Sequence, residues 1–342
     1  MRTRLIFVSF LATAALGITL QVPVDGGSAA ESVSPASERA APSRLDLSAW
    51  SDAPPGRAVP LVFIHHSCGG QLLAPAGSES EWEKCIYAAH PNGGGLRPLL
   101  EAQGYRVHEA SYGSEVGDRT DLFDWLPKFR DKMEKVLRIE RNDTWLPEGG
   151  TNEIVVFKSC YTQSELEVGP DGPGRPTGPT LNVANAKATL TALLPHFQSQ
   201  PGALFVYLTS PPLAPGVEPV RLWRWLARKA LGHPDERTRR QTQGRLAREL
   251  SSWARSPDGW LRDYPLSNVV VFDYADVLTG AGASNLSRFP TGGGLDSHPA
   301  APGNALAAQA FVPFLNRALR RHAAGRTPAM PPSAPPAVPS PI

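Results

Sequence analysis

Five short apolar runs, separated by longer stretches with helical spacing, restrict the fold that this chain can adopt. Each run is rich in Val, Ile, Phe or Tyr and lacks the polar alternation of a strand with one face in water. Such runs are typical of strands buried on both faces of a parallel sheet. They cover residues 59–64, 105–110, 153–157, 203–208 and 268–272.

The stretches between these runs predict helices. Residues 122–141 carry apolar side chains at helical spacing, and residues 183–197 and 303–322 show a similar pattern. Strands that alternate with helices form right-handed crossovers and a parallel sheet. We therefore predict an α/β fold with a five-stranded parallel sheet. Ligands of such a sheet bind outside the carboxyl ends of its strands, so the functional residues are expected there.

The amino terminus has the pattern of an export signal. Arg2 and Arg4 precede an apolar stretch over residues 5–20, and small residues follow at 28–30. This pattern predicts a cleavable signal peptide over residues 1–30 and a secreted or periplasmic protein, with a retained single anchor as the alternative. No later segment is apolar enough to predict a stable membrane span.

Composition divides the rest of the chain. Residues 31–57 are rich in Ser, Ala, Pro and Arg and predict a disordered linker, and the Pro-rich residues 324–342 predict a disordered tail. The folded domain then spans residues 58–323. Residues 221–261 form a basic, Trp-rich helical insertion, whose Trp side chains either pack on the core or form a lid or a binding surface.

Charge and cysteine content exclude some classes of protein. A net charge of +2 is too small for the concentrated basic face of a nucleic-acid-binding protein. The three cysteines, Cys68, Cys85 and Cys160, leave at least one thiol unpaired, and Cys68 with Cys85 is the most local pairing. The chain lacks the paired Cys or His spacing of a structural zinc site. The oligomeric state is not indicated.

The first apolar run is followed by His65, His66, Ser67 and a Gly pair. A serine hydroxyl becomes nucleophilic only beside a positioned base, and the Asp-Ser-His-Pro segment offers His298, with Asp296 to orient its ring. Ser67 could alternatively cap the following helix. His65 and His66 point to opposite faces of a strand, so we expect them to support the Ser67 turn rather than to bind a metal together.

Nucleophilic attack on a carbonyl also needs donors for the developing negative charge. The amide groups of Ser67 and Gly113 are candidates, because Gly113 follows the second predicted strand. Side chains that follow the third strand are further candidates.

The order of these residues resembles that of the SGNH/GDSL hydrolases, and most of all a divergent bacterial branch whose first block reads HHSxG. The resemblance extends from Phe63 to about Phe314. It implies a flavodoxin-like three-layer α/β/α fold and ester hydrolysis without a metal or another cofactor. It also implies Ser67 as the nucleophile, His298 as the base and Gly113 as an oxyanion donor.

The sequence departs from the family pattern at three blocks. His65 and His66 replace the usual Gly-Asp, and a Lys-Ser-Cys-Tyr segment stands near the place of Gly-x-Asn-Asp. Asp296 is two residues before His298, where the family spaces its acid three residues before its base. The side-chain oxyanion donor could therefore be any of three residues after the third strand, Ser159, Gln163 or Ser164.

These observations predict a secreted serine esterase that forms an acyl-Ser67 intermediate. The expected substrate is an acylated glycan or another small acyl ester, or a lipid ester if the Trp-rich insertion is an apolar lid. One alternative is a non-catalytic protein of the same fold that binds glycans or cell-wall polymers. Another is a metal-dependent hydrolase that uses His65 or His66 with Asp296 and His298.

Overall fold

A seven-stranded sheet forms the middle layer of the protein. The structure is a computed structural model that describes residues 45–170, 172–217, 230–231 and 235–326. The strands in chain order are β1 Val59–Ile64, β2 Ser80–Glu83, β3 Ile86–Ala89, β4 Tyr105–Ala110, β5 Ile139–Arg141, β6 Thr144–Trp145, β7 Ile154–Lys158, β8 Leu204–Leu208, β9 Val269–Phe272, β10 Pro290–Thr291 and β11 Asp296–Pro299.

The sheet order confirms the predicted α/β class. The strands lie in the order β6-β5-β4-β1-β7-β8-β9, and the five from β4 to β9 are mutually parallel. Numbered among themselves, these five follow the order 2-1-3-4-5, which is that of flavodoxin-like folds. They are the five predicted strands. Two short edge strands, β5 and β6, extend the sheet beyond the prediction.

Helices cover both faces of the sheet. They are α1 Ser67–Leu73, α2 Leu96–Ala102, α3 Trp125–Asp131, α4 Met133–Arg138, α5 Val183–Gln198, α6 Glu236–Arg255, α7 Tyr274–Thr279 and α8 Ala301–Arg326. Three short 3₁₀ helices occupy Leu122–Asp124, Tyr161–Ser164 and Gly292–Gly294. The predicted helices at 183–197 and 303–322 are thus confirmed with small extensions.

Alternate side chains of the strands belong to two separate hydrophobic cores, one on each face of the sheet. The protein therefore has three layers, with helices on both sides of the sheet. On one face, Val62 and Ile64 of β1 pack with α3 and α5, where Phe129 and Phe197 are fully buried. On the other face, Leu61 and Phe63 of the same strand pack with α1, α2 and α8. Burial on both faces explains why most of the parallel strands lack polar alternation, whereas β4, with the sequence YRVHEA, carries the exposed Arg106.

The segment predicted as one helix over 122–141 is divided. The 3₁₀ turn leads into α3, the backbone breaks at Lys132 with φ −131° and ψ 21°, and α4 then ends where strand β5 begins. Ile139 continues the apolar spacing of the helix, but it is buried as part of the edge strand. The prediction of a continuous helix was wrong because the same apolar spacing runs through the two helices and on into strand β5.

The carboxyl end of the predicted linker packs against the domain. Leu45 and Leu47 contact the two cores, and the Asp52 carboxylate lies 2.8 Å from the Arg317 guanidinium of α8. Residues 45–57 therefore belong to the folded part of the chain. The predicted signal peptide, residues 31–44 and the tail beyond residue 326 lie outside the described residues.

The described part of the Trp-rich insertion consists mainly of α6 and the turn after it. Trp260 is buried and its indole N–H donates to the Leu190 carbonyl at 2.7 Å, while Trp253 packs at the edge of the same core. Both contacts agree with a packing role for these two side chains. Trp223 and Trp225 lie outside the described residues. Among the helices that are described, none combines the length and the apolar character that crossing a bilayer requires.

Candidate active site

Ser67 is the first residue of helix α1, directly after the central strand β1. The turn between β1 and α1 is tight because the start of the helix packs closely against His65 and the backbone of Cys85. A Cβ atom at Gly70 would lie 1.9 Å from the Cys85 carbonyl oxygen, and one at Gly69 would lie 2.3 Å from the His65 Cβ. The Gly pair therefore lets α1 start at once and presents the Ser67 side chain, which is half-buried, at the carboxyl edge of the sheet.

Ser67, His298 and Asp296 form a chain of hydrogen bonds. Ser67 Oγ lies 2.9 Å from His298 Nε2, and His298 Nδ1 lies 2.8 Å from Asp296 Oδ1. The same carboxylate oxygen accepts the backbone N–H of His298 at 3.0 Å. Its other oxygen accepts the Thr291 hydroxyl at 2.9 Å. The Asp-x-His spacing is sufficient because both residues lie in strand β11, opposite Thr291 of β10.

The electrostatics of this chain define the tautomer of the imidazole. Partial burial raises the pKa of Asp296, but its hydrogen bonds from His298 and Thr291 outweigh burial and hold the pKa below its usual value. An ionised Asp296 accepts a hydrogen bond from Nδ1–H and so leaves the lone pair of Nε2 facing the Ser67 hydroxyl. The Tyr161 ring packs edge-on against the imidazole, with centroids 5.0 Å apart.

His65 anchors the turn through a buried ionic network. Its Nδ1 lies 3.0 Å from the His66 carbonyl oxygen and its Nε2 lies 3.2 Å from Glu109. The His66 carbonyl and the Glu109 carboxylate thus fix the ring at both of its nitrogens. Arg97 pairs with the second oxygen of Glu109. Burial raises the pKa of Glu109, but His65 and Arg97 together hold it below its usual value.

His66 makes different contacts. Its Nε2 lies 3.0 Å from the Gly117 carbonyl oxygen, and its ring stacks on Tyr112 with centroids 3.4 Å apart. Burial lowers the pKa of His66 to about 3, so the ring is neutral near pH 7. The two adjacent histidines hold separate parts of the sheet edge, and the structure brings neither of them into a shared ligand group with Asp296.

The predicted oxyanion side chains have partners elsewhere. Ser159 Oγ accepts the Trp125 indole N–H at 2.8 Å, and Ser164 Oγ donates to the Pro211 carbonyl at 2.7 Å. Both of these serines are fully buried. Gln163 accepts the backbone N–H of residue 122 at 3.0 Å.

The two predicted backbone donors differ from each other. The amide of Gly113 donates to Asp118 Oδ1 at 3.1 Å, in a turn where Gly113 has φ +79°. The amide of Ser67 has no intramolecular acceptor among the described residues, since it is in the first turn of α1. Ser67 N–H is therefore the donor that is open to a substrate oxygen.

Cys160 is a neighbour of Ser67 that the spacing of residues along the chain does not reveal. Its Sγ lies 3.6 Å from Ser67 Oγ and 3.4 Å from Cys68 Sγ, and both thiols are free. The hydrogen bond between Cys160 and Cys68 and the charge of the buried Lys158 outweigh burial and hold the pKa of Cys160 well below its usual value. Burial raises the pKa of Cys68.

The position of Cys160 follows from the sheet order. Strand β7 pairs with β1 in parallel, with Phe157 opposite Ile64, so the residues after the two strands emerge side by side. The order 2-1-3-4-5 was the signal that could have identified this neighbour. Cys85, which was the predicted local partner of Cys68, instead contacts the Tyr87 hydroxyl at 3.6 Å.

One group of potential metal ligands is present in the described part of the chain. Cys68, Cys160 and His298 each offer one ligand atom, and these atoms lie within 4.8 Å of one another. This set differs from the predicted alternative, which combined His65 or His66 with Asp296 and His298.

Comparisons with known proteins give structural likeness only. No protein-family model matches the chain, and no curated protein matches it in sequence. Among solved structures, Axe2, an acetylxylan esterase from Geobacillus stearothermophilus, is 12% identical, with 77% of this chain and 95% of that chain covered and a TM-score of 0.39. A carbohydrate esterase family 2 enzyme from Corynascus thermopiles is 16% identical, with 78% and 68% covered and a TM-score of 0.33.

Proposed function

We propose that this protein is a serine hydrolase that cleaves small carboxylic esters through an acyl-Ser67 intermediate. The observation that carries the proposal is the continuous chain of hydrogen bonds from Ser67 through His298 to Asp296. A hydroxyl, an imidazole and a carboxylate in this order are the parts that nucleophilic acyl transfer requires.

In the first step, His298 Nε2 removes the proton from Ser67 Oγ while the oxygen attacks the carbonyl carbon of the ester. The proton then passes from His298 to the leaving alcohol as the C–O bond breaks. Asp296 stays ionised and stabilises the positive charge on the imidazole. The Ser67 amide donates to the carbonyl oxygen as it becomes negative.

In the second step, water replaces the alcohol beside His298. The imidazole accepts a proton from this water, which attacks the acyl carbon and forms the tetrahedral intermediate. Collapse of the intermediate returns the proton to Ser67 and releases the carboxylic acid. A positioned base of this kind contributes about 10²–10⁴-fold to the rate.

The surroundings of the sheet edge favour an ester of a polar alcohol. A cavity of about 510 Å³ begins at Gly113, at the end of the strand next to β1. Its lining is mostly charged or hydroxylated and includes Ser114, Glu115, Asp118, Arg119, Asp124 and Lys132. None of Ser67, Asp296 and His298 lines this cavity, so it could receive only a part of the substrate that extends away from the ester. A polar lining suits hydroxyl groups better than a long acyl chain, and an acetylated glycan is the substrate class that we propose. Export, which the amino-terminal sequence predicts, is compatible with a cell-wall or extracellular polymer.

Two measurements test the proposal. Aryl acetate and aryl hexanoate should be compared as substrates, together with release of acetate from acetylated xylo-oligosaccharides. A fluorophosphonate should label wild type at Ser67, as located by peptide mass spectrometry. Absence of both hydrolysis and labelling in well-folded protein would contradict the proposal and favour the non-catalytic glycan-binding alternative.

A further inference from the structure

The thiols beside the proposed nucleophile have no part in the mechanism described above. Cys68 and Cys160 lie in contact, with their sulfurs 3.4 Å apart, and Cys160 also borders Ser67 Oγ at 3.6 Å. Two sulfur atoms and an imidazole nitrogen therefore converge on one point at the end of strands β1 and β7. We propose that Cys68, Cys160 and His298 form a binding site for a thiophilic divalent cation such as Zn²⁺ or Cd²⁺, and that the bound ion inhibits the enzyme.

The distances suit a small tetrahedral ion. Sulfur ligands lie about 2.3 Å from zinc, so two of them at a tetrahedral angle are about 3.8 Å apart. The observed 3.4 Å separation of Cys68 and Cys160 needs only a small rotation of one side chain. The three ligand atoms lie within 4.8 Å of one another, so one ion can reach all of them. Sulfur and imidazole nitrogen are the ligands that zinc and cadmium prefer over magnesium or calcium.

Asp296 orients His298 for this role. It holds Nδ1 at 2.8 Å, which leaves Nε2 as the nitrogen that is directed toward the thiols and Ser67. A carboxylate bound to the second nitrogen of a metal-ligating histidine fixes the ring and increases its basicity. The Ser67 hydroxyl or a water molecule would complete the tetrahedron from the half-open side of the site.

Inhibition follows from competition for one lone pair, and this part of the inference rests on the proposed function. Each thiol loses a proton as its sulfur binds the ion, and the Nε2 lone pair becomes a metal ligand. His298 then cannot accept the proton of Ser67. The ion is therefore an inhibitor that a chelator removes, and it supplies no step of the ester hydrolysis.

The test measures metal binding directly, so that it does not depend on finding the substrate. Full-length protein with Cys85→Ser, kept reduced with a phosphine, is titrated with Cd²⁺ while thiolate-to-metal absorption is recorded in the ultraviolet. We expect one ion per chain, with Zn²⁺ displacing it. Cys68→Ser and Cys160→Ser in the same background should each weaken binding at least ~100-fold, and Asp296→Asn about 10–100-fold. Ser67→Ala should still bind the ion while it abolishes hydrolysis.

Several outcomes distinguish this inference from the proposed function. Unchanged absorption and affinity in the folded Cys160→Ser variant, or loss of the ion in Cys85→Ser alone, would overturn the metal site. Metal binding without any esterase activity would leave the site in place and overturn only the ester hydrolysis. If wild type is active, Zn²⁺ should inhibit it at concentrations that match the measured affinity, and a chelator should restore the rate.

Discussion

The Nε2 atom of His298 lies 2.9 Å from Ser67 Oγ although the two residues are 231 positions apart in the chain. Helix α1 supplies the hydroxyl and the hairpin of β10 and β11 supplies the imidazole. The central strand carries Ser67 to the sheet edge, so the start of the domain and its carboxyl-terminal region meet at one point. The predictions below follow from this contact and from the groups that hold it.

Ser67→Ala should lower kcat by about 10⁴-fold or more, because the acyl acceptor is removed while the rest of the site stays in place. Aryl acetate hydrolysis and fluorophosphonate labelling measure the loss. Ser164→Ala is the control, since the Ser164 hydroxyl is already engaged as a donor to the Pro211 carbonyl. A loss of similar size in both variants would mean that folding rather than chemistry was affected.

Asp296→Asn should lower kcat by about 10²–10⁴-fold with little change in KM, because an amide cannot stabilise the charged imidazole and favours the wrong tautomer. Thr291→Val should have a smaller effect, about 5–10-fold, since it removes one hydrogen bond to the carboxylate. Thr191→Val, on the exposed face of α5, is the control. Equal activity of wild type and Asp296→Asn would exclude the carboxylate from the mechanism.

Glu109→Ala should destabilise the fold by about 3–5 kcal/mol, since it leaves His65 and Arg97 buried without their shared carboxylate. The surface pair of Arg57 and Glu153 provides the contrast, because Arg57→Ala should cost less than about 1 kcal/mol. Urea unfolding followed by tryptophan fluorescence measures both. If the two variants lose the same stability, the buried network does not support the Ser67 turn.

His66 should make the fold sensitive to acid. Its pKa is about 3 in the folded protein, below the ordinary value of 6.5, so the unfolded chain binds the proton more readily. The contribution is fully present above about pH 6.5 and is lost as the pH falls toward 3. His66→Gln should therefore give a smaller decline in unfolding free energy between about pH 7 and about pH 4 than wild type. His196→Gln, on a half-exposed residue, should keep the wild-type decline.

Strands β1, β7, β8 and β9 could be predicted because each is an almost entirely apolar run that is largely buried. Strand β4 could be predicted from Tyr105, Val107 and Ala110, although polar residues interrupt its apolar pattern. The edge strand β5 could not, because Ile139 continues the apolar spacing of the helix before it and only the pairing of Arg141 with Glu109 distinguishes the strand. The edge strand β6 could not, because it has two residues and is defined by its pairing with β5. The order of apolar residues along the chain identifies a helix or strand when most of that element's residues on the buried side are apolar. At a sheet edge, tertiary pairing decides between a last helical turn and a strand.

The candidate site shows the same division. The proximity of Ser67, Asp296 and His298 could be predicted because Ser67 follows the first predicted strand and the Asp-Ser-His-Pro segment precedes the last predicted helix. Cys160 could not be identified from its own segment, because its contact with Ser67 depends on the strand order that places β7 beside β1. The partners of Ser159 and Ser164 depend on side chains from distant helices and loops, which spacing along the chain does not reveal.

One carboxylate oxygen of Asp296 holds both the backbone amide and the ring of His298, within a single short strand. The carboxylate and the imidazole therefore keep their mutual geometry when the hairpin moves. The distance that can vary in this site is therefore the one between the hairpin, which carries His298, and helix α1, which carries Ser67. A ligand that displaces the hairpin would lengthen the distance from Ser67 Oγ to His298 Nε2 and so lower the reaction rate gradually. The tautomer of His298 would stay the same, because Asp296 moves with it.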